Sequence, residues 1–193
     1  MKRLFDFVIS LLCLVLLSPL FLLFYVLIKC ETKGGAIYRQ ERIGLHGRAF
    51  YIYKFRSMYS DAEKDGPQLL QQGSVNDDCR LTPIGRFLRA HHLDELPQLW
   101  NVLIGDMSFV GYRPERKVYI DRIMQHNARY EELYRRRPGV TSYATLYNGY
   151  TDTMKKMLRR LDYDLYYNEH QSFGLDMKIL MKTFLLVASG KKF

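Results

Sequence analysis

Residues Phe7 to Ile28 form an uncharged, strongly apolar run interrupted near its middle by Ser18-Pro19. A straight helix over this stretch would rise roughly 33 Å, close to the hydrocarbon thickness of a bilayer. Pro19 has no amide proton and its ring clashes with the carbonyl four residues back, so the helix kinks or breaks there. The pieces on either side, Phe7–Leu17 and Leu20–Ile28, each reach only about halfway across. Basic residues flank both ends: Lys2 and Arg3 before the run, then Lys29, Lys33, Arg39 and Arg42 after it. The positive-inside tendency holds both ends in the cytoplasm, which a hairpin satisfies and a span does not. A cleaved signal peptide fits poorly, because the run is long, Asp6 interrupts its start and no small-x-small cleavage pattern follows.

Beyond the run the pattern becomes that of a polar body. Ala36–Gln40 and Arg48–Phe55 read as two short strands joined through Gly44 and Gly47 in a hairpin. Residues Ser60 to Arg80 have no sustained period and carry Gly66-Pro67 and Gly73, which predicts a loop over a site. Thr82-Pro83 predicts a capped helix with Ile84, Phe87 and Leu88 on its apolar face. A second helix is expected from Asp94, with Pro97 in its first turn, an apolar stripe of Leu96, Leu99, Trp100 and Leu103, and Gly105 at its end. Tyr119 to Tyr134 predicts an amphipathic helix stopping before Pro138-Gly139. Thr153 to Tyr167 predicts another, whose apolar side fits either a core or the headgroup plane of a membrane. Leu175 to Ala188 has a broad apolar face beside Lys178 and Lys182 and is expected at the membrane surface.

Composition narrows the partners. Of a formal net charge of +9 over 193 residues, the first 30 residues contribute only +2, from Lys2, Arg3 and Lys29 against Asp6. The remaining +7 lies on the polar body and suits anionic partners such as phospholipid headgroups or phosphorylated ligands. Nucleic acid is set aside, since no RNP, zinc-finger or helix-turn-helix signature accompanies the charge. Cys13, Cys30 and Cys79 have no CxxC spacing, which predicts reduced thiols rather than a disulfide or metal-thiolate framework. The body after residue 30 is large enough for one compact domain, giving expected units of 1–30 and 31–193.

Chemically capable side chains are densest from Arg86 to Arg113, including Arg89, His91, His92, Asp94, Glu95, Asn101 and Asp106. Asp94 and Glu95 are adjacent, so on a helix they point about 100° apart and cannot face each other as a glycosidase pair would. On a first helical turn they could still share a site, where free amides and the helix dipole would keep Asp94 ionised as nucleophile or metal ligand. The alternative is an ordinary N-cap beside a solvated acid. His91-His92 lacks zinc-site spacing. Arg113-Pro114 and Arg135-Arg136-Arg137 before Pro138-Gly139 would present guanidinium groups to phosphate, or else form a solvated basic face.

The chain resembles the bacterial sugar transferase family, the small monotopic phosphoglycosyl transferases. The resemblance rests on Leu93-Asp94-Glu95-Leu96-Pro97-Gln98-Leu99-Trp100-Asn101-Val102-Leu103 and Gly105-Asp106-Met107-Ser108-Phe109-Val110-Gly111. Tyr53-Lys54-Phe55-Arg56-Ser57-Met58, Thr82-Pro83-Ile84-Gly85, Arg113-Pro114 and Arg137-Pro138-Gly139-Val140-Thr141 support it. It implies a helix-rich α/β (α+β) monotopic membrane protein with a re-entrant hairpin broken at Ser18 and Pro19, a small β-hairpin and amphipathic interfacial helices. The expected location is the cytoplasmic face of the bacterial inner membrane, and the chain is similar to the small forms rather than to longer members with a multispanning N-terminal region.

The resemblance also implies a reaction: phosphosugar passes from a UDP-sugar to undecaprenyl (polyprenol) phosphate, with Mg2+ as cofactor and UMP released. Asp94 is the implied nucleophile, with Glu95 its partner and both as metal ligands. Arg137, Arg113, Lys54 and Arg86 are the expected phosphate- and substrate-binding residues. The different-class alternative is a non-catalytic membrane-surface module binding anionic lipid or a glycan-assembly partner. Two departures stand out. Tyr112 replaces the family's proline between Gly111 and Arg113, which is expected to loosen that turn, and Thr141-Ser142-Tyr143-Ala144-Thr145 replaces the usual Thr-Gly-Trp-Ala-Gln.

Overall fold

The computed structural model describes residues 1–60, 62, 78–149, 151 and 153–189, with only the backbone of Ala188. Most of the loop expected over residues 60–80, including Gly66-Pro67 and Gly73, lies outside the described residues, as does the tail after Ser189. The two ends of that segment are joined: Met58 and Leu81 form a β-bridge, and the Tyr59 amide donates to the Arg80 carbonyl at 3.0 Å.

The apolar run folds as two helices, α1 (Lys2–Leu16) and α2 (Ser18–Glu31), bent by 61° at Leu17. Pro19 occupies the first turn of α2, where its missing amide has no intrahelical partner to lose, and Ser18 Oγ donates back to the Val15 carbonyl at 2.8 Å. Among the described residues no single helix is long and apolar enough to cross a membrane; the bent pair together has the length and composition.

Both ends of that pair are tied to the polar body. At its start Lys2 Nζ pairs with Asp176 Oδ2 at 2.6 Å, and the Arg3 guanidinium donates to the carbonyls of Val102 and Leu103. The buried Asp6 carboxylate accepts the Phe109 amide. At its end Glu31 Oε1 accepts the Ile84 amide at 2.9 Å, and buried Arg56 donates to the carbonyls of Thr32 and Lys33 at 2.9 and 2.7 Å. Phe24 and Ile28 pack with Phe55 and Leu88. A straight span would carry one end away from these partners. The bend keeps both ends on one body.

That body is built around small pieces of sheet. Strands β1 (Ile37–Ile43) and β2 (Ala49–Phe55) form the expected antiparallel hairpin, with Tyr38 opposite Lys54. Helix α3 (Pro83–Ala90) starts as expected, Thr82 Oγ1 accepting the Gly85 amide at 2.9 Å. Helix α4 (Gln98–Ile104) follows, then β3 (Ser108–Val110), which pairs in parallel with β4 (Gly139–Thr141). The expected helix over Tyr119–Tyr134 is two elements: α5 (Lys117–Met124) and a 3-10 stretch, Ala128–Arg135, restarted by the Asn127 side chain accepting the Arg129 amide. Asn127 competes with helix continuation through that local bond, and the amphipathic spacing alone does not reveal it.

Helix α6 (Tyr143–Asn148), capped by Ser142, has no counterpart in the sequence reading. Helix α7 (Met154–His170) resolves its two alternatives in favour of the core: Met157, Leu161 and Leu165 pack with Tyr112, Ile120 and Ile123. Helix α8 (Phe173–Ala188) buries Ile179 and Asp176 and leaves Met181, Phe184 and Leu185 exposed. An apolar face of this kind fits the expected interfacial role.

Candidate active site

Strand β2 brings Lys54 to the site. Residues two apart share a strand face, so Lys54 lies on the side of Ile52, which is buried against Val102 of α4 and Met107. The side chain of Asn101, fully buried on α4, fixes the two elements together. Its Nδ2 donates to the Tyr51 carbonyl at 2.7 Å and its Oδ1 accepts the Tyr53 amide at 3.1 Å. Asn101 thus completes the edge of β2 that would otherwise leave buried backbone groups unpaired.

The carboxylate pair stands on a 3-10 turn, Leu93–Glu95, entered through His92 at φ 56°. A left-handed conformation at a non-glycine residue is uncommon and turns the chain sharply into the pair. The expectation that Asp94 opens a helix is corrected: α4 begins at Gln98, preceded by Pro97. The expected stripe is corrected as well, since α4 buries Gln98, Leu99, Asn101 and Val102 while Trp100 is half exposed. Leu99 of the expected stripe is buried, and the docking of Asn101 on β2 turns the rest of the buried face towards Gln98 and Val102.

The two carboxylates have unequal surroundings. Glu95 Oε1 lies 2.5 Å from Lys54 Nζ and 3.6 Å from Arg113 Nη2. Burial by itself would raise the Glu95 carboxyl, but Lys54 and Arg113 outweigh it and hold the group well below the usual carboxylate range. Asp94 is buried, and the raised affinity of its carboxyl for a proton comes first from that burial and then from the Glu95 charge, against Lys54, Arg89 and His92. A helix N-terminus does not keep Asp94 ionised, contrary to the sequence expectation. The cations sit on its neighbour.

Arg113 is delivered by the β3–β4 ladder. A Cβ on Gly139 would lie 2.1 Å from the Gly111 amide nitrogen, so only glycine permits the two chains to approach this closely. The Gly139 amide donates to the Tyr112 carbonyl at 2.8 Å, and the Tyr112 ring is buried in the core against α5 and α7. Tyr112 anchors this turn rather than loosening it.

Arg137 Nε donates to the Gly105 carbonyl at 2.7 Å, capping the C-terminal end of α4 beside Arg3. Arg86 is exposed on α3, and no bond to either carboxylate is found among the described residues; Arg89 is the α3 guanidinium whose charge reaches Asp94. Ser142 and Tyr143, from the divergent stretch, cap α6 and join a cluster with Tyr147, Tyr163 and Tyr166.

Among the described residues no group of three or more His, Cys, Asp or Glu side chains is placed to hold a metal ion. Magnesium bound with substrate phosphates needs only one or two protein carboxylates. Asp94 and Glu95 can supply these, with Lys54 and Arg113 both engaging Glu95 Oε1, so the pair fits such an ion.

The family model for bacterial sugar transferases matches residues 1–190. The chain belongs to the bacterial sugar transferase family. Among its relatives, a UDP-glucose:undecaprenyl-phosphate glucose-1-phosphate transferase of Caulobacter vibrioides is 41% identical over 94% of this chain and 67% of its own length. A UDP-N-acetylgalactosamine-undecaprenyl-phosphate N-acetylgalactosaminephosphotransferase of Aeromonas hydrophila is 37% identical over 98% of this chain but 44% of its own. An uncharacterized sugar transferase of Bacillus subtilis is 35% identical, with 98% and 89% covered. The chain spans less than half the length of several curated relatives it matches.

Proposed function

We propose that this sugar transferase moves a sugar 1-phosphate from a UDP-sugar to undecaprenyl (polyprenol) phosphate through a phosphosugar carried on Asp94. The observation that carries the reading is the unequal carboxylate pair. One member is locked between two cations, and the other is buried beside them with those cations on its neighbour.

An Asp94 oxygen attacks the phosphorus that bears the sugar, the bond from that phosphorus to the UMP oxygen breaks, and UMP leaves with the bonding pair. A phosphate oxygen of the polyprenol phosphate then attacks the same phosphorus and expels the Asp94 carboxylate, giving polyprenyl-diphosphate-sugar. Glu95 holds Lys54 and Arg113 beside the reacting phosphorus, where their charge offsets that of the phosphoryl oxygens. Asp94 and Glu95, with the donor diphosphate, would hold a magnesium ion that supplies positive charge favouring the carboxylate anion and screening the phosphate. The two half-reactions allow a dissolved donor and a membrane-embedded acceptor to use the site in turn. A catalytic domain on the cytoplasmic face of the inner membrane, anchored by the bent pair, meets both substrates. The relatives named for glucose and for N-acetylgalactosamine transfer set the first donors to try.

The test incubates the purified chain with UDP-glucose, UDP-N-acetylgalactosamine and further UDP-sugars, magnesium and polyprenol phosphate in lipid. UMP release is expected with at least one donor and is lost in Asp94→Asn, and intact mass shows a phosphosugar adduct when acceptor is withheld. Undiminished turnover in Asp94→Asn would remove Asp94 as the nucleophile.

A further inference from the structure

The two residues directly after Lys54 belong to the membrane hairpin as much as to the strand. Phe55 is buried, and its ring centroid lies 5.4 Å from that of Phe21 and 5.8 Å from that of Phe24, both on α2. Arg56 is buried against the C-terminal end of the same helix. Its Nη2 donates to the Thr32 carbonyl at 2.9 Å and to Thr32 Oγ1 at 2.6 Å, and reaches the Ile28 carbonyl at 3.5 Å. Its Nη1 donates to the Lys33 carbonyl at 2.7 Å. The Arg56 amide donates to the Ala36 carbonyl at 2.8 Å, where the chain leaves the hairpin for β1. A Cβ on Gly34, at φ 115°, would collide with Arg56 Nη1, so glycine is what lets the guanidinium lie against this turn.

Burying a cation is costly, and the last carbonyls of a helix can be satisfied by water instead. What the buried fork adds is a fixed relation between α2 and the strand that carries Lys54. Helix α2 leaves Leu22, Leu23 and Val26 exposed, so lipid that receives these side chains sets where the helix lies. We propose that Arg56 is a positioning residue that couples the seat of the hairpin in lipid to the Lys54–Glu95 contact. This role rests on the function proposed above.

The distances leave little slack. Lys54 Nζ stands 2.5 Å from Glu95 Oε1, so a shift of about 1 Å in the end of β2 takes the pair to the limit of hydrogen-bond range. A misplacement of that size can cost up to about 100-fold in rate. The consequence falls on the donor step. Formation of the phosphosugar on Asp94 uses a dissolved UDP-sugar and no lipid substrate, yet it depends on how α2 is held.

Single-turnover UMP release in lipid nanodiscs, with UDP-sugar and magnesium but no polyprenol phosphate, reads that step alone. A double-mutant cycle then separates positioning from general support. Arg56→Gln is expected to slow the release about tenfold in the wild-type chain and less than twofold in a Lys54→Ala background. Equal fold losses in both backgrounds, or a normal donor step with the loss confined to turnover with acceptor, would overturn the proposal. Lys54→Arg replaces Lys54→Ala in the cycle if the latter forms no adduct. Thr32→Val, which removes the hydroxyl acceptor, replaces Arg56→Gln if that variant does not fold, with the same expected non-additivity. Asp94→Asn runs beside them: a wild type without UMP release, or release undiminished in Asp94→Asn, removes the proposed function, whereas additive losses in an Asp94-dependent enzyme sink the coupling alone.

Discussion

Asn101→Ala removes both bonds that join α4 to the edge of β2 and leaves the Tyr53 amide and Tyr51 carbonyl without their partner. The side chain is fully enclosed, so bulk water does not replace it directly. Leaving a buried polar backbone group unsatisfied costs about 1–3 kcal/mol, and two of them give about 4 kcal/mol. That is a large share of the roughly 5–15 kcal/mol that stabilises an ordinary domain. For a chain of this size it corresponds to a fall of about 10 °C in Tm. Because the same bonds fix β2 against α4, Lys54 also loses its register against Glu95, and UMP release should fall even at temperatures where the variant is folded. Thermal unfolding in lipid nanodiscs reads the first effect, and initial rates well below the variant's Tm read the second. A Tm within 2 °C of wild type together with full activity would refute the clamp.

Two further outcomes follow from the charges and the surface. Asp164 binds its proton more tightly folded than unfolded, so its contribution to stability is complete below about pH 4 and is lost as pH rises towards 7, a change of at most about 4 kcal/mol. Asp94 shifts in the same direction, whereas the depressed Glu95 contributes stability only above its ordinary range and loses it in acid. Urea midpoints should therefore decline from about pH 5 to 7 and decline less in Asp164→Asn; a midpoint that climbs across this window contradicts the assignment. Trp100 is the only tryptophan and is half exposed on α4, which packs beside α1. If that edge rests at the lipid surface, its fluorescence is quenched by lipids brominated near the headgroup and protected from aqueous iodide. Full iodide access would lift α4 off the membrane.

What the sequence disclosed was local chemistry. Pro19 breaks the apolar run because a missing amide acts within one turn, and Thr82-Pro83 starts α3 for the same kind of reason. Asp94 and Glu95 could be singled out, but not their division of labour, because Lys54 and Arg113 reach Glu95 from 41 and 18 positions away. Helix α6 carried a readable signal in Ser142 followed by Thr145, obscured by its brevity. The Asn101 clamp has no sequence signature, since its partners are backbone atoms. Arg86 and Arg89 are alike on paper, and only the structure shows that the Arg89 charge reaches Asp94.

The 61° bend has a consequence for the lipid itself. The arms of 15 and 14 residues are about 22 and 21 Å long. Seated as a symmetric V with both ends at the surface, each arm slopes at about 30° and the apex descends roughly 11 Å, against a hydrocarbon thickness of about 30 Å. Such a wedge displaces acyl chains mainly from one monolayer, its apex reaching about the midplane. Insertion then enlarges one leaflet's area relative to the other, and membranes whose receiving leaflet is already loosely packed or convex should take up the protein more readily than flat, tightly packed ones.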